Sequence, residues 1–233
     1  MLIPRPAGAR GATRLDWLDS RHTFSFGEYH DPAHVAFGPL RVINDDVIAP
    51  GAGFPPHPHR DMEILSWLLD GALAHRDSLG NGSTIRPGEA QLMHAGTGIT
   101  HSEYNPSRTD AAHLLQIWII PARRDLVPGY GQRALDPAAL DGRLALLATP
   151  PGGGGAVEIH QDARVLVGRF ADGQRARHAL ASGRGAWVHV ARGACQVNGT
   201  VAAAGDGFAV VGEAAVEIAQ AHDAEVLVFE VTP

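Results

Sequence analysis

The residues with the clearest capacity for chemistry are two pairs of metal-binding side chains, each pair separated by one residue. His57 and His59 stand in the segment GAGFPPHPHRDME, and His101 and Glu103 stand in AGTGITHSEYN. Side chains at positions i and i+2 point to the same face of a β-strand, so each pair projects in one direction. If the two strands are neighbours, three imidazoles and one carboxylate converge. That donor set suits a divalent first-row transition metal.

The elements that would position these pairs are short strands. Apolar runs such as EILSWLL, LLQIWII, RVLVGRF and EVLVFEV recur along the chain, and its 28 glycines and 16 prolines are spread between them. Evenly spread turn formers between short apolar runs favour many strands. Helical periodicity is weak, and short helices are predicted only near 135–141 and 124–127. The sequence therefore predicts a mostly antiparallel β protein.

Two Asn-Gly pairs, Asn81-Gly82 and Asn198-Gly199, predict β-hairpins, since both residues tolerate the positive φ that two-residue turns need. Each pair lies in a repeated pattern, GALAHRDSLGNGSTIRPGE and then GACQVNGTVAAAGD. Both segments run from a glycine through a strand, an Asn-Gly turn and a second strand to a glycine followed by an acid. This weak internal repeat predicts two stacked β-barrels.

Longer motifs carry a resemblance to a known family. The runs FSFGEYHDP, LRVINDD, PGAGFPPHPHRDMEI, HRDSLGNGSTIRPGEAQLMHAGTGITHSEYNPS and LLQIWIIP resemble the pirin family of bicupins. The resemblance is strong over about residues 15–133 and weaker beyond. It implies an all-β fold of two antiparallel β-sandwich barrels of the jelly-roll type. Residues 1–133 would form the N-terminal metal-binding domain, and 134–233 a C-terminal cupin-like domain without metal ligands.

The resemblance also implies one metal, usually iron, held by His57, His59, His101 and Glu103. Ordinary cupins take their carboxylate from the position of Glu63, whereas pirins take it from two residues after the third histidine. Glu63 shares strand parity with His59, so it either lines the cavity or serves as a structural acid. Fe(II) is the expected ion, although three nitrogens and one oxygen also suit Zn, Ni, Co, Cu or Mn.

Two further residues are candidates for contact with the site. His94 precedes the glycine-rich turn that leads to His101, and Gln116 lies on the strand LLQIWII, from which it could reach the cavity. Trp118 shares the face of Gln116, but core packing is its more common role. The other histidines lack a second partner at ligand spacing and are interpreted as surface or core residues.

The second repeat predicts no second site of the same kind. Counting from its glycines as the histidine pairs lie from theirs reaches Ala179, Ala181, Ile218 and Gln220. With a shift of two positions, the only candidate ligands there are His178 and Glu217. The second barrel is therefore interpreted as structural, or as an interaction surface. Cys195 is the only cysteine, which excludes an intramolecular disulfide.

The resemblance implies a quercetin 2,3-dioxygenase activity, in which a flavonol reacts with O₂ and carbon monoxide is released. Glu103 would be both ligand and candidate base for the 3-hydroxyl proton. The alternative is a non-enzymatic regulator that senses metal or redox state through protein partners. A cupin isomerase or storage protein is a third possibility, although no basic phosphate-binding cluster accompanies the histidines.

Charge and hydropathy limit the possible binding partners and cellular locations of the protein. The formal net charge is −6 with no block of Lys or Arg, so direct nucleic-acid binding is not expected. A protein partner remains compatible with this surface. No apolar run approaches the ~20 residues that span a bilayer, and the N-terminus lacks the apolar core of a signal peptide. A cytoplasmic location is the resulting expectation.

Overall fold

The computed structural model describes all residues, Met1–Pro233, and consists almost entirely of β-strands. The first part of the chain contains β1 (Leu2–Arg5), a 3₁₀ turn (Ala7–Ala9), β2 (Gly11–Leu15), β3 (Leu18–His22), β4 (Leu40–Ile48), β5 (Gly53–His59), β6 (Glu63–Asp70), β7 (Leu73–Asp77), β8 (Gly82–Ile85), β9 (Glu89–His94), β10 (Ile99–Tyr104), β11 (Ala112–Ile119) and β12 (Gly129–Ala134). The second part contains α1 (Pro137–Leu140), β13 (Ala145–Thr149), β14 (Val157–Glu158), β15 (Arg164–Phe170), β16 (Ala176–Ala179), β17 (Gly185–Val197), β18 (Thr200–Ala203), β19 (Gly207–Val210) and β20 (Ala215–Val231).

The first barrel is built from two antiparallel sheets. A seven-stranded sheet has the order β12-β9-β6-β11-β4-β3-β2, and a four-stranded sheet has the order β5-β10-β7-β8. Strand β5 carries Pro55, Pro56 and Pro58, which cannot donate to a ladder, and it accordingly lies at an edge of its sheet. In β10, His101 and Glu103 are buried while alternate residues are more exposed, so the strand turns these two side chains inward.

The second barrel depends on two long strands, β17 and β20, that run through both of its layers. The strand order of one layer is β1-β19-β17-β20-β15-β13-β14. At their other ends, β17 pairs with β18 and β20 pairs with β16. The strands bend where their pairing register shifts, around Gly193. A Cβ atom on Gly193 would lie 2.2 Å from the Asp223 carbonyl oxygen, and its φ is +64°. Glycine is required there because the two backbones cross closely.

A continuous hydrophobic core joins the two barrels. Its 25 buried residues include Trp67 and Leu115 from the first barrel and Val165, Trp187 and Phe229 from the second. The seven-stranded sheet thus packs on the larger sheet of the second barrel. Burying one such side chain contributes about 1.5–3 kcal/mol, so this shared core is a major source of stability.

The interiors of the two barrels differ. A cluster of 16 buried residues, among them Phe170, Val188 and Phe208, fills the second barrel. The first barrel holds smaller apolar clusters of 7 and 4 buried residues and, beside them, an open cavity of about 370 Å³. The first barrel therefore has an open cavity inside it, whereas apolar side chains fill the interior of the second.

The predicted all-β fold of two antiparallel sandwich barrels is confirmed. The helix predicted near 135–141 is present as one turn, Pro137–Leu140, with Asp136 as its N-cap. The helix predicted near 124–127 is wrong, because Asp125 has a φ of +56° and Pro128 follows before β12 begins. No helix in the structure is long and apolar enough to cross a bilayer.

The two Asn-Gly pairs have different outcomes. Asn198 and Gly199, with φ of +46° and +80°, form the predicted two-residue turn between β17 and β18. Asn81-Gly82 is not a two-residue turn, because residues 78–81 connect β7 to β8 and Gly80 takes the positive φ. The Asp77 carboxylate shapes this longer loop by accepting hydrogen bonds from the backbone of Leu79 and Asn81.

The division into residues 1–133 and 134–233 stays a prediction. Strand β12 pairs with β9 of the first barrel and ends at Ala134. Strand β1, however, pairs with β19 of the second barrel, with Leu2 opposite Val210. The N-terminal strand thus joins a sheet of the second barrel. The four residues of β1 have no distinctive pattern from which this pairing could be predicted.

Candidate metal centre

The pairing of β5 with β10 brings three imidazoles together. His57 lies opposite His101, and His59 lies opposite Ile99. The potential ligand atoms of the three histidines all lie within 4.8 Å of one another. Their ring centroids are 4.5 Å (His57 to His101), 4.8 Å (His57 to His59) and 4.9 Å (His59 to His101) apart. The two spacings therefore bring the three imidazoles together, whereas Glu103 groups with His101 but not with His57 and His59, so the four-ligand set stays a prediction.

Glu103 lies deeper in the wall of the same cavity. It belongs to an overlapping set with His75 and His101, whose ligand atoms also lie within 4.8 Å of one another. Gln116 Nε2 donates to Glu103 Oε2 at 2.8 Å, and the Ser66 hydroxyl, whose nearer acceptor is Gln116 Oε1 at 3.1 Å, lies 3.4 Å from Glu103 Oε1. Burial raises the pKa of Glu103 to about 7, although these hydrogen bonds favour the charged form.

A chain of hydrogen bonds orients His101. Its Nδ1 lies 3.4 Å from His75 Nδ1, and His75 Nε2 lies 3.1 Å from Asp77 Oδ2. The chain is satisfied when His101 donates to His75 and His75 donates to Asp77, since a neutral imidazole has one donor and one acceptor nitrogen. The remaining nitrogen of His101, Nε2, is buried without a hydrogen-bond partner.

The donor set fits a divalent metal ion. His57 Nδ1 donates to the Pro55 carbonyl at 2.8 Å, so this imidazole too has its Nε2 left as the lone-pair nitrogen. Burial lowers the pKa of His101 to about 3 and that of His59 to about 4, with the neighbouring imidazoles contributing. Both rings are therefore neutral at pH 7. An unpartnered buried lone pair beside two more imidazoles is what a metal ion would satisfy.

The cavity of about 370 Å³ has both apolar and polar walls. Its aromatic lining includes Phe54 and Trp118, and the Trp118 ring lies edge-on to His59 with centroids 5.0 Å apart. Besides His57, His59 and His101, its polar lining includes His22, Asn44 and Asp46. The size and this mixture are typical of small-molecule sites.

Among the predicted neighbours of the site, Gln116 lines the cavity and contacts Glu103. Glu63 and His94 do not line it, so of the two alternatives left open for Glu63 the geometry favours a structural acid over a cavity position. Parity fails because a turn containing Asp61, with a φ of +49°, separates β5 from β6. Glu63 and His94 instead contact each other, with His94 Nδ1 2.6 Å from Glu63 Oε2.

The sequence also left residues of the site unidentified. His75 and Asp77 alternate on β7, but their contact with His101 depends on the pairing of β7 with β10. Asp46, whose pKa burial raises to about 7, lines the cavity from β4. The alternation HRD was the available signal for His75, and nothing local distinguished Asp46 from the adjacent Asp45.

The fold and the site together define a bicupin, a class of two-barrel proteins whose barrel walls can hold a metal. Residues 5–119 match the family model described as Pirin. Residues 146–231 match the family model described as Quercetinase C-terminal cupin domain. The chain belongs to the pirin family.

Similar proteins span the whole chain. The sequence is 44% identical over 233 residues to quercetin 2,3-dioxygenase of Escherichia coli strain K12, covering 100% of both chains. It is 38% identical over 231 residues to a pirin-like protein of Caulobacter vibrioides, covering 99% of both. The crystal structure of bacterial pirin YhhW from Escherichia coli in complex with nickel(II) matches with a TM-score of 0.94 and 43% identity, covering 100% of both chains. These similarities support a cupin metalloprotein.

Proposed function

We propose that this protein is a mononuclear metal-dependent dioxygenase that opens flavonols such as quercetin with O₂ and releases carbon monoxide. The observation that carries the proposal is the unpartnered Nε2 of His101, which lies beside His57 and His59 at a cavity of small-molecule size. A relative that shares 44% of its residues with this chain is named quercetin 2,3-dioxygenase. Its name supports the substrate class.

His57, His59, His101 and Glu103 would hold the ion, and Fe(II) is the proposed one. Nickel is supported by the complex of the related YhhW, and cobalt, copper or manganese also suit the donors. When bound, such an ion supplies Lewis acidity that lowers the pKa of an enolic hydroxyl. Zinc would supply the acidity without redox chemistry.

The protein's own groups would bind the flavonol and take its proton. Phe54 and Trp118 offer apolar faces for planar rings, and the polar side chains of the same lining can hydrogen-bond ring hydroxyls. Glu103 would accept the 3-hydroxyl proton at Oε1, whose Ser66 partner is 3.4 Å away, while Gln116 keeps Oε2 at 2.8 Å. Burial raises the pKa of the metal-free Glu103 carboxyl to about 7, and a bound cation would oppose this shift and keep the carboxylate able to accept the proton.

The test is aerobic turnover of quercetin by protein loaded with Fe(II) under anaerobic conditions. Loss of quercetin absorbance and release of carbon monoxide are expected to occur together. His101→Ala should abolish both, whereas His222→Gln, at an exposed histidine that pairs with Asp172, should leave both unchanged. The same activity in His101→Ala would contradict the proposal. Binding of quercetin without turnover, with each of the metals above, would favour the regulatory alternative.

A further inference from the structure

A second cluster of metal-ligating side chains lies outside the cavity. Glu63 begins β6, His94 ends β9, and these two residues are direct partners across the sheet of the first barrel. His160 comes from the second half of the chain, between β14 and β15. The potential ligand atoms of the three residues lie within 4.8 Å of one another. The cluster thus joins the two barrels.

Both imidazoles point a nitrogen at the same carboxylate. His94 Nδ1 lies 2.6 Å from Glu63 Oε2, and His160 Nδ1 lies 3.3 Å from Glu63 Oε1. The rings meet edge to face, with centroids 4.7 Å apart. The Glu63 side chain is 2% exposed, against 17% for His94 and 35% for His160. The cluster therefore combines a buried carboxylate with imidazoles that are partly exposed to solvent.

The charge of Glu63 needs a counterion. The two imidazoles are the only groups that pair with its carboxylate, and no Lys or Arg contacts it. A buried carboxylate between two neutral imidazoles is costly, because hydrogen bonds alone do not offset its charge. Either a proton on an imidazole or a divalent cation can offset it.

The surrounding backbone fixes the cluster before any ligand binds. The His160 carbonyl accepts from Ala122 N at 2.7 Å, and Gln161 Nε2 donates to the Ile120 carbonyl at 2.8 Å. These bonds hold the His160 loop against the end of the first barrel. On the other side, a Cβ atom on Gly129 would lie 3.1 Å from His94 Cδ2, so glycine leaves room for the ring. Zinc binding would still require the contact between His94 and Glu63 to lengthen, because two ligand atoms of a tetrahedral zinc lie about 3.3 Å apart.

We propose that Glu63, His94 and His160 form a second divalent-metal site, suited to Zn²⁺, that fastens the C-terminal barrel to the N-terminal one. Two imidazole nitrogens and one carboxylate are a common zinc donor set, and water can complete a tetrahedron from the open side. Bound zinc would supply the counter-charge that the buried Glu63 carboxylate lacks.

The experiment counts zinc ions on protein first stripped by a chelator and then equilibrated with micromolar Zn²⁺ and desalted. The wild-type chain should retain two equivalents by elemental analysis. His101→Ala, which disables the cavity site, and His160→Gln, which disables the interdomain site, should each retain one. The double variant should retain none. His160 lies in a partly exposed loop, so its replacement should leave the circular dichroism spectrum unchanged.

Thermal unfolding gives a second readout. Zn²⁺ should raise the unfolding temperature of His101→Ala but leave that of the double variant unchanged, because only the interdomain site remains in the former. His222→Gln serves as the matched control, since it removes an exposed histidine that pairs with Asp172, and it should retain two equivalents. Two results would each overturn the interdomain site: zinc retained by the double variant as by His101→Ala, or no zinc retained by His101→Ala.

Discussion

His101 is the residue on which the cavity site depends. Its ring centroid lies 4.5 Å from that of His57 and 4.9 Å from that of His59, and its Nε2 is buried without a hydrogen-bond partner. The His-x-His and His-x-Glu spacings predicted this convergence, because side-chain parity along a strand is a local property. The orientation of His101 by His75 could not be predicted in the same way, since it depends on which strand lies beside β10.

The hydrogen-bond chain behind His101 makes a prediction at the residue scale. His75→Leu should weaken metal binding at the cavity site about 10- to 100-fold, because His101 Nδ1–H loses the acceptor that fixes the orientation and tautomer of the ring. Asp77→Asn keeps the shape of the side chain that ends this hydrogen-bond chain but removes its negative charge. It should weaken metal binding by a smaller factor. A competition titration against a chromogenic chelator measures both. Unchanged affinity in both variants would contradict a positioning role for His75.

At the scale of elements, the register between β5 and β10 sets the geometry of the site. Gly53 opens β5 where the backbones come close, and a Cβ atom there would lie 2.1 Å from the Glu103 carbonyl oxygen. The apolar runs of the sequence do not include these two segments, which are interpreted as strands from the alternation of their ligand pairs. That alternation did not predict the turn at Asp61 that sends Glu63 away from the cavity, because a positive φ in a non-glycine residue has no strong local signature.

Gly53→Val should therefore force β5 away from β10. We expect a loss of about 1–3 kcal/mol in the free energy of unfolding, as for other overpacked sites, together with weaker metal binding. Gly131→Ala in β12 is the matched control, since no atom lies within 4 Å of the Cβ it would add. Denaturant titration and metal competition measure the two effects. Equal unfolding free energies and equal metal affinities in the two variants would exclude a requirement for glycine at position 53.

At the scale of the molecule, the shared core couples the barrels. Trp67 is fully buried, and its Nε1 donates to Glu225 Oε1 at 2.6 Å across the interface. Arg169 donates to the other carboxylate oxygen at 3.0 Å. The apolar periodicity predicted the strands that carry these residues. Their pairing between barrels could not be predicted, because no spacing rule links positions so distant along the chain.

Trp67→Phe should lower the free energy of unfolding by about 1–3 kcal/mol, because a buried Glu225 oxygen loses its donor. Intrinsic fluorescence and circular dichroism should still report one shared transition, since both barrels contribute to the same core. Two separate transitions in the wild-type chain would show that the interface does not couple the barrels.

His189 predicts how the stability of the whole molecule depends on pH. The residue is fully buried, and neither ring nitrogen has a hydrogen-bond partner. Burial, with a smaller contribution from Arg10, lowers its pKa from 6.5 to about 4, although Asp45 and Asp206 oppose the shift. Between pH 6.5 and 4, His189 is protonated in the unfolded chain but stays neutral in the folded chain. Stability should therefore fall as the pH falls from 6.5 to 4, by on the order of 3 kcal/mol.

The check compares the wild-type chain with His189→Leu by urea unfolding across that pH range. The difference in unfolding free energy between the two should shift in favour of the leucine variant as the solution is acidified. A difference that does not change with pH would contradict the buried neutral state of His189.

The most direct test of the cavity site is anomalous diffraction from crystals grown with nickel(II) or iron(II), recorded at the absorption edge of the metal. A peak is expected inside the N-terminal barrel, about 2.0–2.2 Å from a nitrogen of each of His57, His59 and His101 and from a carboxylate oxygen of Glu103. A fully loaded crystal with no peak among these four side chains would contradict the assignment.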